Sequence, residues 1–494
     1  MTIAAVSRQK AAVIGGGLIG GGWAARFALH GWEVAVFDPH PDAAKRIADV
    51  LDNARKSLPA LADFPMPEEG EVKIVTNLAA AVADADWIQE SVPEDLALKH
   101  AVLAEIQSVA ALDAIIGSST SGFKPSELQE GASNPGQILV AHPFNPVYLL
   151  PLVEVVAGPA CSEATTQQAC DLLQALGMQA LIVRTEIDAH IADRFMEAVW
   201  REALWLVNDD VATTEEIDNA IRYGFGLRWA QMGLFETFRL AGGEEGMAHF
   251  IRQFGPALQW PWTKLTDVPE LTDELVQKVA SQSDAQSGRY EIRELEQIRD
   301  RNLVGILRSL KERNFGAGSI LAEHDKRLAK MSASDNGKDN SAPLRLLDLT
   351  VLPAWIDYNG HMTEFRYVQV FGDSSEALLR RVGMHDEYVE GGNSWYTAET
   401  HTQFFDELGI DEPMYTTVQL LAADAKRLQV FYRLHASEDD RLLASLEAMY
   451  LHVNMASGKV CEADAGACQA LMELAAAHSK MPQPDAAGRY VGQR

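Results

Sequence analysis

The chain has 494 residues, 47% of them apolar, and a formal charge of −28, which is enough length for about three globular domains and enough apolar content to give each a core. So acidic a balance argues against nucleic acid and anionic membrane surfaces as partners, because both are held by a basic face. The four cysteines are widely spaced, have no metal-ligand pattern and are expected to be reduced; no basic leader or membrane-length apolar run is present, so a cytoplasmic protein is expected.

In chain order, the first elements are a strand-like run, Ala11-Ala12-Val13-Ile14, and a turn, Gly15-Gly16-Gly17-Leu18-Ile19-Gly20. A helical pattern follows, then a second run, Val34-Ala35-Val36-Phe37, with Asp38 at its tip. Strand, glycine turn, helix, strand and acidic tip in this order form the dinucleotide-binding fingerprint. Gly15 is expected to make the tight turn, Gly17 to admit a pyrophosphate, and Gly20 to let helix and strand approach. The pyrophosphate then lies on the free N–H groups that open the helix, around Leu18 and Ile19. Asp38, about twenty residues on, accepts hydrogen bonds from ribose hydroxyls and repels an added phosphate, so NAD is the expected cofactor.

Short apolar runs alternate with helical stretches as far as residue 185: Trp87–Glu90, Ala114–Gly117, Ile138–Ala141, Leu152–Val156 and Ala180–Val183. The pattern predicts an α/β domain over 1–185, a doubly wound parallel sheet covered by helices. The strand ending at Ala141 runs into His142-Pro143-Phe144-Asn145-Pro146, and Glu154 follows twelve residues after the histidine. Residues just past strand ends line the cofactor crevice of such sheets. Oxidising an alcohol needs a base for the hydroxyl proton, a histidine titrates near working pH, and a carboxylate on its other nitrogen orients it.

Together, Gly15-x-Gly17-x-x-Gly20, Ser121, His142-x-Phe144-Asn145-Pro146 and Glu154 resemble the 3-hydroxyacyl-CoA dehydrogenase superfamily over roughly residues 8–325. The resemblance implies that His142 is the base, Glu154 its partner and Ser121 the hydrogen-bond donor to the substrate oxygen, with Asn145 beside the nicotinamide or substrate. One departure stands out: Asp193-Arg194 occupies the register where the family has Asn-Arg. Ionised aspartate cannot donate a hydrogen bond. Either Asp193 pairs with an arginine, or it gives the pocket a negative potential suited to a cationic substrate.

From 186 to 330 the strand-like runs vanish and helical spacing takes over, as in Ile191–Val207, predicting an all-α substrate and dimerisation domain. The segment Tyr223-Gly224-Phe225-Gly226-Leu227-Arg228-Trp229-Ala230-Gln231-Met232-Gly233 resembles the branch that oxidises small free hydroxy acids, and implies L-carnitine as the substrate. Its trimethylammonium group suits aromatic faces. Candidate walls are Phe144, Trp229, Phe254, Trp260 and Trp262, and Arg194 or Arg228 is a candidate for its carboxylate.

Residues 331–343 contain almost nothing to bury and predict a linker, with a separate module over 344–494. In that module a turn at Asp357-Tyr358-Asn359-Gly360 precedes a helix over Thr363–Arg381, and alternating runs such as Tyr415–Leu420 and Leu428–Arg433 follow, so one helix against an antiparallel α+β sheet is expected. Trp355-Ile356-Asp357-Tyr358-Asn359-Gly360-His361-Met362 resembles hotdog-fold acyl-CoA thioesterases of the 4-hydroxybenzoyl-CoA type. That resemblance places Asp357 at the thioester carbonyl, Asn359 and His361 around the water or thioester, and Glu376 as the alternative acid. Glu399 and His401, opening the next strand, are further candidates for the same cleft. It also implies a homodimer. With a carnitine-oxidising partner, betainyl-CoA is the expected thioester. Two other readings stay open: a 3-hydroxyacyl-CoA dehydrogenase with a thioesterase for the same acyl chains, and a dehydrogenase with a non-catalytic dimerising module.

Overall fold

The computed structural model describes residues 9–241, 246–254, 263, 270, 272–287, 289–334, 340–352, 355–384 and 386–489. Two units emerge from its contacts, Met1–Ala54 with Glu69–Ala322, and Arg55–Glu68 with Glu323–Arg494.

The first unit is built on β1 (Lys10–Ile14), β2 (Glu33–Phe37), β3 (Val72–Val75), β4 (Trp87–Glu90), β5 (Ile115–Ser118), β6 (Ile138–Pro143), β7 (Leu152–Ala157) and β8 (Gln179–Ile182). They form one sheet in the order β3-β2-β1-β4-β5-β6-β7-β8. Continuous apolar runs are what a sheet covered on both faces requires, and Ala12, Val13, Ile88, Ile116 and Val140 are fully buried. On one face Trp23 and Phe27 of the helix Leu18–Leu29 pack with Trp87. On the other, Leu78, Val82, Leu103 and Ile106 join Ile14 and Ile116 in the core.

Two features differ from the sequence expectation. β6 and β7 pair antiparallel, within a sheet whose other neighbours are parallel. The connection over 144–151 is too short for the crossover that parallel pairing needs, so the chain turns straight back. The edge strand β3 was not foreseen, because its four residues are all at least partly exposed and lack an apolar run. Beyond β8 the unit is helical, beginning with Ala192–Asn208 and continuing through Thr214–Ala220, Gly226–Ala241, Asp273–Ser287 and Ile292–Glu312. The region expected as a linker is helical as far as Ser334, within Ala317–Ser334.

The second unit has β9 (Leu344–Thr350), β10 (Asn393–Phe404), β11 (Pro413–Ala423), β12 (Arg427–Ala436), β13 (Leu442–Asn454) and the short β14 (Lys459–Val460). Every pairing is antiparallel, in the order β10-β13-β12-β11-β9 with β14 on β13. The helix Glu364–Arg381 lies against this sheet through Tyr367, Val370, Phe371, Ala377 and Leu378, which share a core with Val430, Tyr432 and Leu446. This is the hotdog arrangement.

A second helix, Ala465–His478, packs on β11 and ends in a fully buried histidine. The Leu420 N–H donates to His478 Nδ1 at 2.9 Å, Nε2 has no partner among the described residues, and burial pushes the pKa down to about 4. A neutral buried histidine is worth its full stability above the unfolded value near 6.5 and loses it as pH falls toward 4, because the unfolded chain binds the proton first. Between pH 7 and 4.5 the intact chain is therefore expected to lose about 2 kcal/mol from this group. Replacing it in His478→Gln should flatten that part of the stability curve, as read by thermal unfolding at the two pH values; an unchanged slope would count against the assignment.

Candidate active sites

The glycine turn joins β1 to the helix Leu18–Leu29. Gly15 has φ +101° and a Cβ there would stand 2.5 Å from the Ser91 carbonyl oxygen, while a Cβ at Gly20 would meet the Gly15 oxygen at 1.8 Å. Neither position tolerates a side chain. At Gly17 nothing lies within 4 Å of the Cβ position, which leaves room for a ligand, and Gly17 caps the helix without any side-chain acceptor. Asp38 is pinned at the tip of β2: Gly16 N–H donates to Oδ2 at 2.6 Å and His40 N–H to Oδ1 at 2.7 Å. Each oxygen keeps acceptor capacity for a ribose hydroxyl. An uncapped helix start, an open glycine and a fixed carboxylate together fit NAD.

Antiparallel pairing of β6 and β7 sets His142 directly opposite Glu154. His142 Nδ1 lies 3.0 Å from Glu154 Oε2, with His142 5% exposed and Glu154 fully buried. A carboxylate only accepts here, so Nδ1 bears the hydrogen and Nε2 is left with its lone pair as a base. The other oxygen, Oε1, accepts the N–H groups of Ile191 at 2.8 Å and Ala192 at 2.9 Å, at the start of the helix Ala192–Asn208. Burial pushes the Glu154 carboxyl up, but the hydrogen bonds from His142, Ala192 and Ile191 outweigh it and hold it below its ordinary value. The partner of the base is thus an anion at neutral pH.

Four consecutive hydroxyl residues, Ser118 at the end of β5 and the three after it, stand here, and three of the four are engaged. Ser118 Oγ donates to Glu90 Oε2 at 2.5 Å, Ser119 Oγ accepts from Gln89 Nε2 at 2.8 Å, and Thr120 Oγ1 donates to Glu94. Ser121 is exposed and makes no hydrogen bond among the described residues, which leaves it the one available for a substrate oxygen. Its loop is anchored from below by a buried ion pair that sequence reasoning missed: Lys99 Nζ lies 2.9 Å from Glu90 Oε1, both essentially unexposed.

Around the base, the half-buried Phe144 ring meets the His142 ring edge-on at 4.9 Å, and Asn145 is exposed. Asp193 is half-buried and has no ion pair among the described residues; burial raises its pKa, and Coulombic attraction to His142 opposes the rise. The arginine pairing that the sequence left open is therefore absent among these residues. Arg194 is exposed. Trp229 packs on Phe225 at 4.6 Å, a contact within the helical region that does not place it beside His142. The side chain of Phe254 and the whole of Trp260 and Trp262 lie outside the described residues. His190, also missed in the sequence, is fully buried with its ring 5.5 Å from that of His142.

In the second unit the hairpin closed by the Ile356–Met362 bridge holds Asp357 just ahead of the helix Glu364–Arg381. Asn359 N–H donates to Asp357 Oδ1 at 2.8 Å, and Gly360 completes the turn with φ +85°. The second carboxylate oxygen takes no hydrogen bond among the described residues. Thr363 caps the helix without a side-chain acceptor, so N–H groups and positive potential stand beside the acid. His361 Nε2 is 3.7 Å from Glu407 Oε1, and Asn359 is exposed. Glu376 is elsewhere: it lines a cavity of about 530 Å³ with Phe371, Ser375, Arg380, Trp395 and Tyr450, and is tied to Arg380 at 2.9 Å. Glu399 and His401 lie in β10 opposite Met449 and Glu447, and neither lines that cavity.

A nucleotide-type sheet bearing a carboxylate-oriented histidine, followed in the same chain by a hotdog sheet, defines a two-activity class, an NAD-dependent alcohol dehydrogenase with a thioesterase module. Residues 10–187 match the model of the 3-hydroxyacyl-CoA dehydrogenase NAD binding domain, 190–291 that family's C-terminal domain, and 351–471 the thioesterase-like superfamily. Proteins of Ruegeria pomeroyi and Rhizobium meliloti, both named L-carnitine dehydrogenase/betainyl-CoA thioesterase, are 54% and 51% identical to the chain. The matches cover 97% and 98% of this chain and 99% of each relative. The L-carnitine dehydrogenase of Oceanobacillus iheyensis is 50% identical over 60% of this chain and 97% of its own length. The solved 5-formyl-3-hydroxy-2-methylpyridine 4-carboxylic acid 5-dehydrogenase, an NAD+ dependent dismutase, superposes with a TM-score of 0.52 at 27% identity, covering 62% of this chain and 99% of its own. The chain belongs to the L-carnitine dehydrogenase/betainyl-CoA thioesterase family.

Proposed function

We propose that the first unit oxidises L-carnitine to 3-dehydrocarnitine and that the second hydrolyses betainyl-CoA to glycine betaine and CoA. The observation that supports this most is the buried His142–Glu154 pair on the sheet that bears the glycine turn, in a chain matched along nearly its whole length by relatives of that name. Bound NAD supplies the hydride acceptor. His142 Nε2 takes the hydroxyl proton, and the Glu154 anion steadies the imidazolium that results. Ser121 holds the substrate oxygen, Asn145 lies beside substrate or nicotinamide, and Gly15–Gly20 with Asp38 hold the dinucleotide. In the second unit Asp357 acts at the thioester carbonyl, while N–H groups opening the helix Glu364–Arg381 receive the oxyanion. Asn359 and His361 place water or thioester. Asp357 is preferred to Glu376, whose carboxylate is already committed to Arg380.

The proposed division assigns the nucleotide to residues 1–185, the alcohol to the helical region 186–330 and the thioester to 344–494, with the helix Ala317–Ser334 running into the segment that the sequence reads as a linker, 331–343. A homodimer is supported by two features. Phe195, Met196 and Trp200 on the helix Ala192–Asn208 are each more than half exposed, and residues 396–400 of the edge strand β10 are all exposed. No helix among the described residues is long and apolar enough to cross a membrane.

NADH formation from L-carnitine and from 3-hydroxybutyryl-CoA tests the substrate directly. The expected result is a kcat/KM on the order of a hundredfold or more in favour of L-carnitine. Preference for the thioester would overturn the proposal.

A further inference from the structure

The segment leading into the helix Ala192–Asn208 contains two consecutive residues in the left-handed region, Ala189 at φ 58° and His190 at φ 49°. Side chains other than glycine seldom adopt that conformation. Here it turns the His190 ring fully inward, 5.5 Å from the ring of His142. His190 Nε2 lies 3.2 Å from the Thr120 carbonyl oxygen. A carbonyl only accepts, so Nε2 bears the hydrogen and Nδ1 bears a lone pair. That Nδ1 is buried and has no partner among the described residues. A buried acceptor left unmatched in this way calls for a ligand or for a reason. Burial lowers the pKa of His190 and keeps the ring neutral.

Asp193 follows on the first turn of the same helix. It is half-buried, and its electrostatic neighbours are His142, Glu197, Glu154 and His190, with no lysine or arginine among them. Beside the base the described residues thus present a carboxylate without a lysine or arginine countercharge and a neutral lone pair. Neither offers a hydrogen to a ligand. A quaternary ammonium has no N–H to donate, and its charge is spread over methyl groups that favour such an anionic, acceptor-only surface.

We infer that Asp193 and His190 form the wall that selects a quaternary ammonium group on the alcohol, with Asp193 as its counter-ion. This rests on the proposed oxidation of L-carnitine and extends it to the residues that read the charge. In that substrate class the cationic nitrogen is two bonds from the carbon bearing the hydroxyl. When His142 accepts the proton, two positive charges stand side by side, and Asp193 offsets the second. The aspartate in place of the family's asparagine then has a physical purpose: it trades a donor for a charge.

The test compares L-carnitine with its neutral carbon isostere, in which tert-butyl replaces trimethylammonium, in the full-length enzyme. The wild type is expected to favour L-carnitine in kcat/KM, and Asp193→Asn to lower that preference by one to two orders of magnitude, mainly through KM for L-carnitine, with NAD affinity unchanged. Asp193→Glu should restore most of it. In His190→Phe, which retains an aromatic ring, the preference should fall by a smaller factor. Equal losses on both substrates in Asp193→Asn, or an undiminished preference, would overturn the inference while leaving carnitine oxidation standing. A wild type that does not oxidise L-carnitine at all would overturn both.

Discussion

Alanine at position 142 is expected to slow L-carnitine oxidation by roughly 10³-fold, within the range found when a general base is removed. The imidazole is the group at the strand end whose free nitrogen can take a proton, since Glu154 lies behind it with both oxygens engaged. Water entering the gap is a poorer and unoriented base. The affinity for NAD should change little, because the glycine turn and Asp38 follow the ends of β1 and β2, whereas His142 belongs to β6. Initial rates of NADH formation and a fluorescence titration with NADH separate the two effects. A variant that keeps its turnover would remove His142 from the chemistry, and one that loses NADH binding as well would point to a structural defect.

Asp357→Asn is expected to lower thiol release from betainyl-CoA by roughly 10³-fold, the scale of losing an activated nucleophile or base. The substitution is a clean one on structural grounds. Asparagine offers the same Oδ1 to the Asn359 N–H and so preserves the turn, while removing the charge. The parallel variant Glu376→Gln breaks an ion pair between partly exposed side chains, of the kind that contributes little to stability. If thiol release survives in Asp357→Asn and fails in Glu376→Gln, the catalytic acid is the one in the cavity.

The parts of the molecule legible in the sequence were those imposed by short-range physics. Gly15 and Gly20 are required by close contacts of backbone with backbone, which no other residue satisfies, and Asp38 terminates a strand whose length the apolar run defines. The helix Glu364–Arg381 and the long alternating strands β11 and β12 were likewise written in their periodicity. The spacing of His142 and Glu154 was visible, but their cross-strand pairing was not, because it depends on β6 and β7 running antiparallel. The resemblance supplied their roles; the register supplied the reason. His190 was invisible for a different cause: a left-handed backbone at Ala189 and His190 leaves no glycine or asparagine as a signal. The Glu90–Lys99 pair was hidden too, since charged residues at a strand end and in a helix read as surface until the fold buries them. Choosing Ser121 among four neighbouring hydroxyl residues gains support from what its neighbours bond to, information held only in three dimensions.

On the proposed function one chain holds two separate catalytic sites, one for an alcohol and one for a thioester. Both reactions, NADH formation from L-carnitine and thiol release from betainyl-CoA, can be followed in matched preparations of His142→Ala and Asp357→Asn. Each variant should lose one reaction and retain the other at the wild-type rate. Loss of both reactions in either folded variant, or retention of both in either, would contradict the two-site account.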